Sequence, residues 1–109
     1  KPQCARYLNN WITIISMKLD HYPEMTKKYL VKLTENIKNN YNLHNTLIAH
    51  RVGEVFPENC LVVVACWSTH RKDSIDAVKN ILEDLKHNAP LWKKEFFIDK
   101  SSEWVEKNT

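Results

Sequence analysis

The side chains with the most chemical promise in this sequence are cations, and they fall between His50 and Lys94. His70-Arg71 follows an apolar run and precedes an amphipathic one. That puts the pair at a strand-to-helix corner, where unpaired helix N–H groups also attract an anion. A solvated polar loop is the plain alternative. Lys86 falls at the end of the same amphipathic run, where the helix dipole alone favours a cation by about 0.3–1 kcal/mol. Lys72, Lys79 and Lys86 are spaced by seven and so share one helix face. Lys72 has Asp76 four residues on and Lys79 has Glu83, the pattern of surface ion pairs. Lys86 has Ala89 and Pro90 in the equivalent places, with Glu83 three residues before it. Lys93-Lys94 interrupt an apolar strand, and alternation sends the two to opposite faces. One can line a cleft while the other meets solvent; lysines guarding an edge strand are the equal alternative. Such a set is suited to holding anions. Arg does so as a bidentate fork, and Lys as a point charge or, once desolvated, as a base or nucleophile.

Other chemistries are poorly represented. No carboxylate pair stands out for acid–base work, and no Ser-His-Asp spacing appears. His21, His44, His50, His70 and His87 form no metal-ligand pattern such as a helical i,i+4 pair, so no cofactor or metal is expected. The chain of 109 residues has one glycine, Gly53, where average usage of about 7% would give roughly eight. A Walker-type phosphate loop or a dinucleotide fingerprint cannot be written with one glycine. An anionic ligand must therefore be held by side-chain cations or a helix end. The net charge is +3; residues 1–49 carry seven Lys/Arg against three Asp/Glu, and residues 50–95 carry seven of each. No cluster is dense enough to read as a nucleic-acid arm. Cys4, Cys60 and Cys66 cannot all pair within one chain, which suits a reducing, cytoplasmic setting. Leu61 to Trp67 is the longest uninterrupted apolar run, too short to span a bilayer. No signal peptide is expected from these residues. The chain does not open on Met, so its N-terminal region is expected to be short or incomplete.

The elements that must position these cations follow from periodicity. Residues 11–19 are rich in β-branched types and predict a strand. Tyr22-Pro23 suits the first turn of a helix. Met25, Tyr29, Leu33 and Ile37, with Leu30, predict an amphipathic helix over residues 24–39. A second strand is expected over about 46–52, then Gly53, then a turn at Pro57-Glu58-Asn59. Residues 60–67 form an apolar strand without alternation, the pattern of a strand covered on both faces. A second helix is expected, capped by Asp73 or Ser74, with Ile75, Val78, Ile81, Leu82 and Leu85 as its buried stripe and His87-Asn88-Ala89-Pro90 as its end. Residues 91–97 predict a last strand, followed by a polar tail holding Trp104. One domain over residues 1–109 is expected, of α+β class, with two helices packed on a mostly antiparallel sheet.

Taken in order, the motifs resemble the large, catalytic subunit (MoaE) family of molybdopterin synthase. The resemblance rests on His50-Arg51-Val52-Gly53-Glu54, Ser68-Thr69-His70-Arg71, Leu85-Lys86 and Ala89-Pro90-Leu91-Trp92-Lys93-Lys94-Glu95. Upstream, Asp20-His21-Tyr22-Pro23-Glu24-Met25-Thr26 matches the segment that opens the family's first helix. Together they cover about residues 17–105. The resemblance implies an α/β-hammerhead type of fold and a sulfurtransferase. It implies that cyclic pyranopterin monophosphate (precursor Z) is converted to molybdopterin, the dithiolene ligand of the molybdenum cofactor. Sulfur would come from a thiocarboxylate on the C-terminal Gly-Gly of a small ubiquitin-like subunit. A homodimer of large subunits, each with one small subunit, would give a heterotetramer. Carried over motif by motif, Lys86 and Lys93 match the catalytic lysines, and His70 and Arg71 match the substrate-binding pair. Lys86 would be the main catalytic group near the incoming thiocarboxylate, and Lys93 would stabilise developing charge.

The N-terminus departs from the family. Where the family has a glycine-x-x-arginine loop, this chain reads Gln3-Cys4-Ala5-Arg6. Arg6 falls at the matching distance before His21, but the glycine is missing. Two further classes of function stay open on the residues alone. One is a non-catalytic domain of the same fold that binds an anionic partner. The other is a nucleic-acid module stacking bases on Trp11, Trp67, Trp92 and Trp104. Those four tryptophans fall mostly in apolar segments and read first as core or interface. No nucleic-acid or membrane partner is expected.

Overall fold

In chain order the elements are β1 (Gln3–Cys4), β2 (Thr13–His21), α1 (Pro23–Asn40), β3 (Asn45–His50), β4 (Gly53–Val55), β5 (Val62–Trp67), α2 (Arg71–Asn88), β6 (Leu91–Phe97) and β7 (Ser102–Val105). The structure is a computed structural model describing residues 3–4, 13–97 and 102–105. The class is α+β, with two helices and antiparallel strand pairing throughout the described residues. The strands form two sheets rather than the expected one. The chain divides into two compact units. A helical unit comprises Tyr22–His50 and Val62–Pro90. A sheet unit comprises Lys1–His21, Arg51–Leu61 and Leu91–Thr109.

In the helical unit β3 pairs antiparallel with β5, Asn45 opposite Trp67 and His50 opposite Val62. Alternation turns Ile48, Val62, Val64 and Cys66 onto the core made by Leu33 and Ile37 of α1 and Ala77, Ile81 and Leu85 of α2. The opposite face keeps Leu47, Val63 and Trp67 in contact with solvent, each 45–49% exposed. The expectation that residues 60–67 are covered on both faces is therefore corrected: β5 starts at Val62 and is covered on one. Its unbroken apolar run reflects the fit of β-branched residues to a pleated strand, which does not require burial.

The helices differ from expectation in detail. Pro23 sits in the first turn of α1, as Pro can. Leu33 and Ile37 are buried, while Met25, one turn before Tyr29, is 49% exposed. In α2 the buried stripe is Ala77, Ile81 and Leu85, with Ile75 62% and Leu82 42% exposed. Ile75 lies two residues before Ala77, roughly 200° around a helix of 3.6 residues per turn, and so points away from the core. The Tyr29 hydroxyl donates to the Asp84 carboxylate and ties the two helices together.

In the sheet unit β2 is central. β1 and β4 pair with opposite ends of one of its edges, β6 with the other edge, and β7 lies beyond β6. The strand expected over 46–52 is broken: β3 ends at His50, and β4 begins at Gly53, opposite Leu19. Gly53 has φ +83°, the left-handed region that favours glycine, and an added Cβ would meet nothing within 4 Å. Backbone conformation rather than space is what asks for glycine there. β6 spans Leu91–Phe97 as expected, but it lies between β2 and β7 and is not an edge. The polar tail contributes β7, a strand its sequence does not predict. Trp67, Trp92 and Trp104 are 45–49% exposed and are not core, and Trp11 lies outside the described residues. No helix is long and apolar enough to cross a membrane.

Candidate functional site

The α2 helix is capped three or four residues earlier than its sequence suggests. His70 is its N-cap, in extended conformation, and makes no side-chain cap. The Ser68 hydroxyl donates to the His70 carbonyl (2.5 Å), and the Asp73 N–H donates to the same oxygen (3.1 Å). Asp73 and Ser74 are thus not caps. Both lie inside the first turn, and the Ser74 hydroxyl donates back to the Arg71 carbonyl at 3.1 Å. A helix start without a side-chain cap directs N–H groups and the positive end of the dipole outward.

An open cleft of about 650 Å³ lies at this corner, lined by His44, Cys66, Trp67, Thr69, Arg71 and Ser74 among others. His44 is anchored twice. Its N–H donates to the Trp67 carbonyl (2.6 Å), and its Nε2 is 2.7 Å from the Thr69 hydroxyl. Burial pushes the Cys66 thiol up from its ordinary range, so it is a neutral group and not a thiolate. Arg71 supplies the cation, with hydroxyls and helix N–H groups around it. That combination can hold a small anion. Of the His70-Arg71 pair, Arg71 lines the cleft, while His70 caps the helix and is exposed.

The sequence offers His44 and Trp67 no part in an anion site: His44 counts there only among the histidines without a metal pattern, and Trp67 only among the stacking or core tryptophans. The signal was available in the register. β3 starts opposite the end of β5, so the residue before β3 meets the turn after β5.

Lys86 is exposed and sits in the last turn of α2. It follows Arg71 by fifteen residues, about 22 Å along the axis at 1.5 Å per residue. The two ends of the expected cation set therefore stand apart on one rigid element. Nor does burial strip water from Lys86 in this chain. The neighbouring surface pairs are only partly as expected. Lys72 meets Asp76 at 2.8 Å, whereas the Glu83 carboxylate lies 3.8 Å from His87.

Lys93 belongs to the sheet unit. Alternation along β6 is realised: Lys93 shares one face with buried Glu95 and Phe97, and Lys94 lies on the other. The Lys94 ammonium is 5.2 Å from the Trp104 ring centroid and 5.7 Å from that of Phe96. Lys93, half-buried, is paired in register with Leu19 on β2 and Val105 on β7. Arg6 lies outside the described residues. Among the described residues, no three His, Cys, Asp or Glu side chains gather as a metal site.

The sequence pattern of the MoaE protein family matches residues 6–88. That span takes in Arg6, His70, Arg71 and Lys86 and ends before Lys93. The molybdopterin synthase catalytic subunit of Ralstonia nicotianae is 38% identical over 91 residues, 84% of this chain and 52% of that protein. That of Yersinia pestis is 34% identical over 94% of this chain and 67% of its own length. The chain thus spans between about half and two thirds of these relatives. The crystal structure of molybdopterin synthase from Staphylococcus aureus superposes with a TM-score of 0.81 at 28% identity, covering 96% of this chain and 76% of that one. With a match over residues 6–88 and the same fold, this chain belongs to the MoaE family.

Proposed function

We propose that this chain is the catalytic subunit of a molybdopterin synthase. It transfers sulfur from the C-terminal thiocarboxylate of a small ubiquitin-like subunit to cyclic pyranopterin monophosphate, in molybdenum cofactor biosynthesis. The observation that carries the reading is the family match over residues 6–88, which includes His70, Arg71 and Lys86. The chemistry supports it. Both the pterin phosphate and the thiocarboxylate are anions. The candidate residues are cations on a helix start, a helix end and a half-buried sheet face. His70 and Arg71 bind the phosphate-bearing substrate, with Arg6 as a third binding residue. Lys86 is the main catalytic group, and Lys93 stabilises charge that develops during transfer. No resident cofactor is part of the mechanism. The setting is cytoplasmic.

The separation along α2 gives the expected homodimer a chemical purpose. One chain cannot bring Arg71 and Lys86 to one substrate, because about 22 Å of helix lies between them. Two copies can, with the helix start of one facing the Lys86 end of the other. The small subunit then covers Lys86 when its tail enters, completing the heterotetramer.

The test is reconstitution. The chain is mixed with a thiocarboxylated small subunit and precursor Z, and molybdopterin is measured. Product that depends on Lys86 supports the reading. Binding of the small subunit without product favours a non-catalytic domain of the same fold.

A further inference from the structure

His44 reaches the Arg71 cleft from a different part of the chain, the segment between α1 and β3. Besides its backbone bond to Trp67, its ring Nε2 lies 2.7 Å from the Thr69 hydroxyl, a side-chain bond across 25 residues. Thr69 precedes Arg71 by two residues, and all three line the same cleft. Among the described residues no carboxylate lines it, and Arg71 has no acidic partner. The other titratable group in the lining is the neutral Cys66 thiol of β5. The charged and titratable groups nearby are held elsewhere. Lys72 of α2 is paired with Asp76 at 2.8 Å, and the Tyr41 hydroxyl after α1 accepts from Asn80 at 3.1 Å. Asp73 lies in the first turn of α2 outside the lining, and His70, beside Thr69, is exposed.

A hydroxyl bonded to an imidazole can face either way. Against a bare ring nitrogen it donates to the ring. Against an N–H it accepts, and its own proton is turned elsewhere. In a cleft that holds an unpaired guanidinium and no carboxylate, an anion selects the second arrangement, because every group facing the anion must donate. We propose that Thr69 is a further binding residue for the anionic substrate and that His44 is its positioning residue. The His44 Nε2–H donates to Thr69 Oγ1, and the Thr69 O–H then donates to the anion held by Arg71. This rests on the proposed function for the role of Arg71. A second proton on the ring, at Nδ1, makes the donor cationic and strengthens the chain of bonds. Anion binding and protonation of His44 therefore favour each other through the Thr69 hydroxyl.

The experiment is an NMR titration of the histidine rings in the whole chain, with and without inorganic sulfate at matched ionic strength. Sulfate stays a dianion across the range, and His87, at the far end of α2, is the internal reference. At saturating sulfate the His44 midpoint is expected to rise by about half a pH unit, as about threefold tighter binding to the protonated ring would give. The His87 midpoint stays in place. In Thr69→Val the rise is lost, while the backbone amides of residues 68–72 still report sulfate at Arg71. In Thr69→Ser the rise is kept. A wild-type His44 midpoint unmoved by sulfate that does shift those amides overturns the proposal and leaves Arg71 its role; that measurement needs no variant to fold. An equal rise in Thr69→Val also overturns it, since His44 would then act on the anion without the hydroxyl. Sulfate that leaves the amides of residues 68–72 unmoved overturns the anion site and the proposal together. None of these readings needs sulfur transfer, so a chain inactive in reconstitution still decides the His44–Thr69 question.

Discussion

The two units of this chain handle charge in opposite ways. The helical unit buries apolar side chains and carries its candidate cations outside: His70, Arg71 and Lys86 are all exposed, at the two ends of α2. The sheet unit draws charge inward, with Glu95 buried and Lys93 half-buried on one face of β6. The difference is one of strategy. Exposed cations add little to stability and need a partner to exclude water from them. Charges on a buried sheet face are positioned by the fold itself, at a desolvation cost.

The largest effect should separate holding the fold from doing chemistry. Ile81 is fully buried between the helices and β5. Ile81→Ala is expected to destabilise by about 3–4 kcal/mol in chemical denaturation, the range for an aliphatic side chain truncated in a core. A loss under about 1 kcal/mol would mean that the helical unit is not held by this core, and the contrast between the units would fail.

Lys86→Ala comes next and should invert that result. Stability is expected to change by less than about 0.5 kcal/mol, as for an exposed residue away from special features. Molybdopterin formation should fall about 100-fold, or roughly 2.7 kcal/mol of barrier. Arg71→Ala should also be defective. Mixing the two variants under exchange tests the shared-site geometry. If each site takes Arg71 from one copy and Lys86 from the other, random dimers carry about a quarter of wild-type sites intact. A site built within one chain recovers nothing.

These expectations draw on what the sequence made legible and on what it hid. The span of β6, 91–97, is legible in the sequence because Pro90 and the apolar run bound it sharply. Lys72–Asp76 and the opposite facing of Lys93 and Lys94 followed from helical and strand periods that tertiary packing left intact. The α2 start was missed because Asp73 and Ser74 look like caps, yet the helix reaches back to Arg71 without one. Ile75 is the more hydrophobic residue, but helical phase places the small Ala77 where the helix meets the core. The sequence lists the cations as one set without saying how far apart they stand, since sequence order carries no distance. Helical rise between Arg71 and Lys86 supplies it. That β6 has β7 beyond it, and so is not an edge, depends on pairing with a polar tail that shows no strand period of its own.

Smaller in size, the Tyr29–Asp84 bond offers a pH test of the helical unit. The Tyr29 hydroxyl is pushed well above its ordinary value of 10.0, by burial first and then by the Asp84 carboxylate. The folded state therefore holds a proton that the unfolded state releases near pH 10. This contribution is fully present below pH 10 and is lost as pH rises toward the folded value. Tyr29→Phe is expected to cost about 1 kcal/mol at pH 7, the usual net worth of such a bond. It should also flatten the fall in stability above pH 10. Equal alkaline slopes in wild type and variant would show that the bond does not link the helices in solution.

The smallest effect bears on the two faces of β6. Lys94 sits over Phe96 and Trp104 at 5.7 and 5.2 Å, on the side away from Glu95. Cation–π contacts of this kind at accessible sites contribute about 0.5–1 kcal/mol. Lys94→Gln should lose about that much in denaturation and leave sulfur transfer within about twofold, because its charge is directed at rings. Lys93→Gln, one residue earlier, should lower transfer by at least tenfold, since it removes the cation on the face that buries Glu95. Its effect on stability should exceed that of Lys94→Gln as well. Lys93 is half-buried, so its replacement removes packing of its aliphatic stem as well as a charge, whereas an aromatic ring that loses its cation remains content against solvent. If the two variants behave alike in both measurements, adjacent residues on β6 are not doing different work, and the contrast between a buried charged face and an exposed aromatic one has no functional meaning.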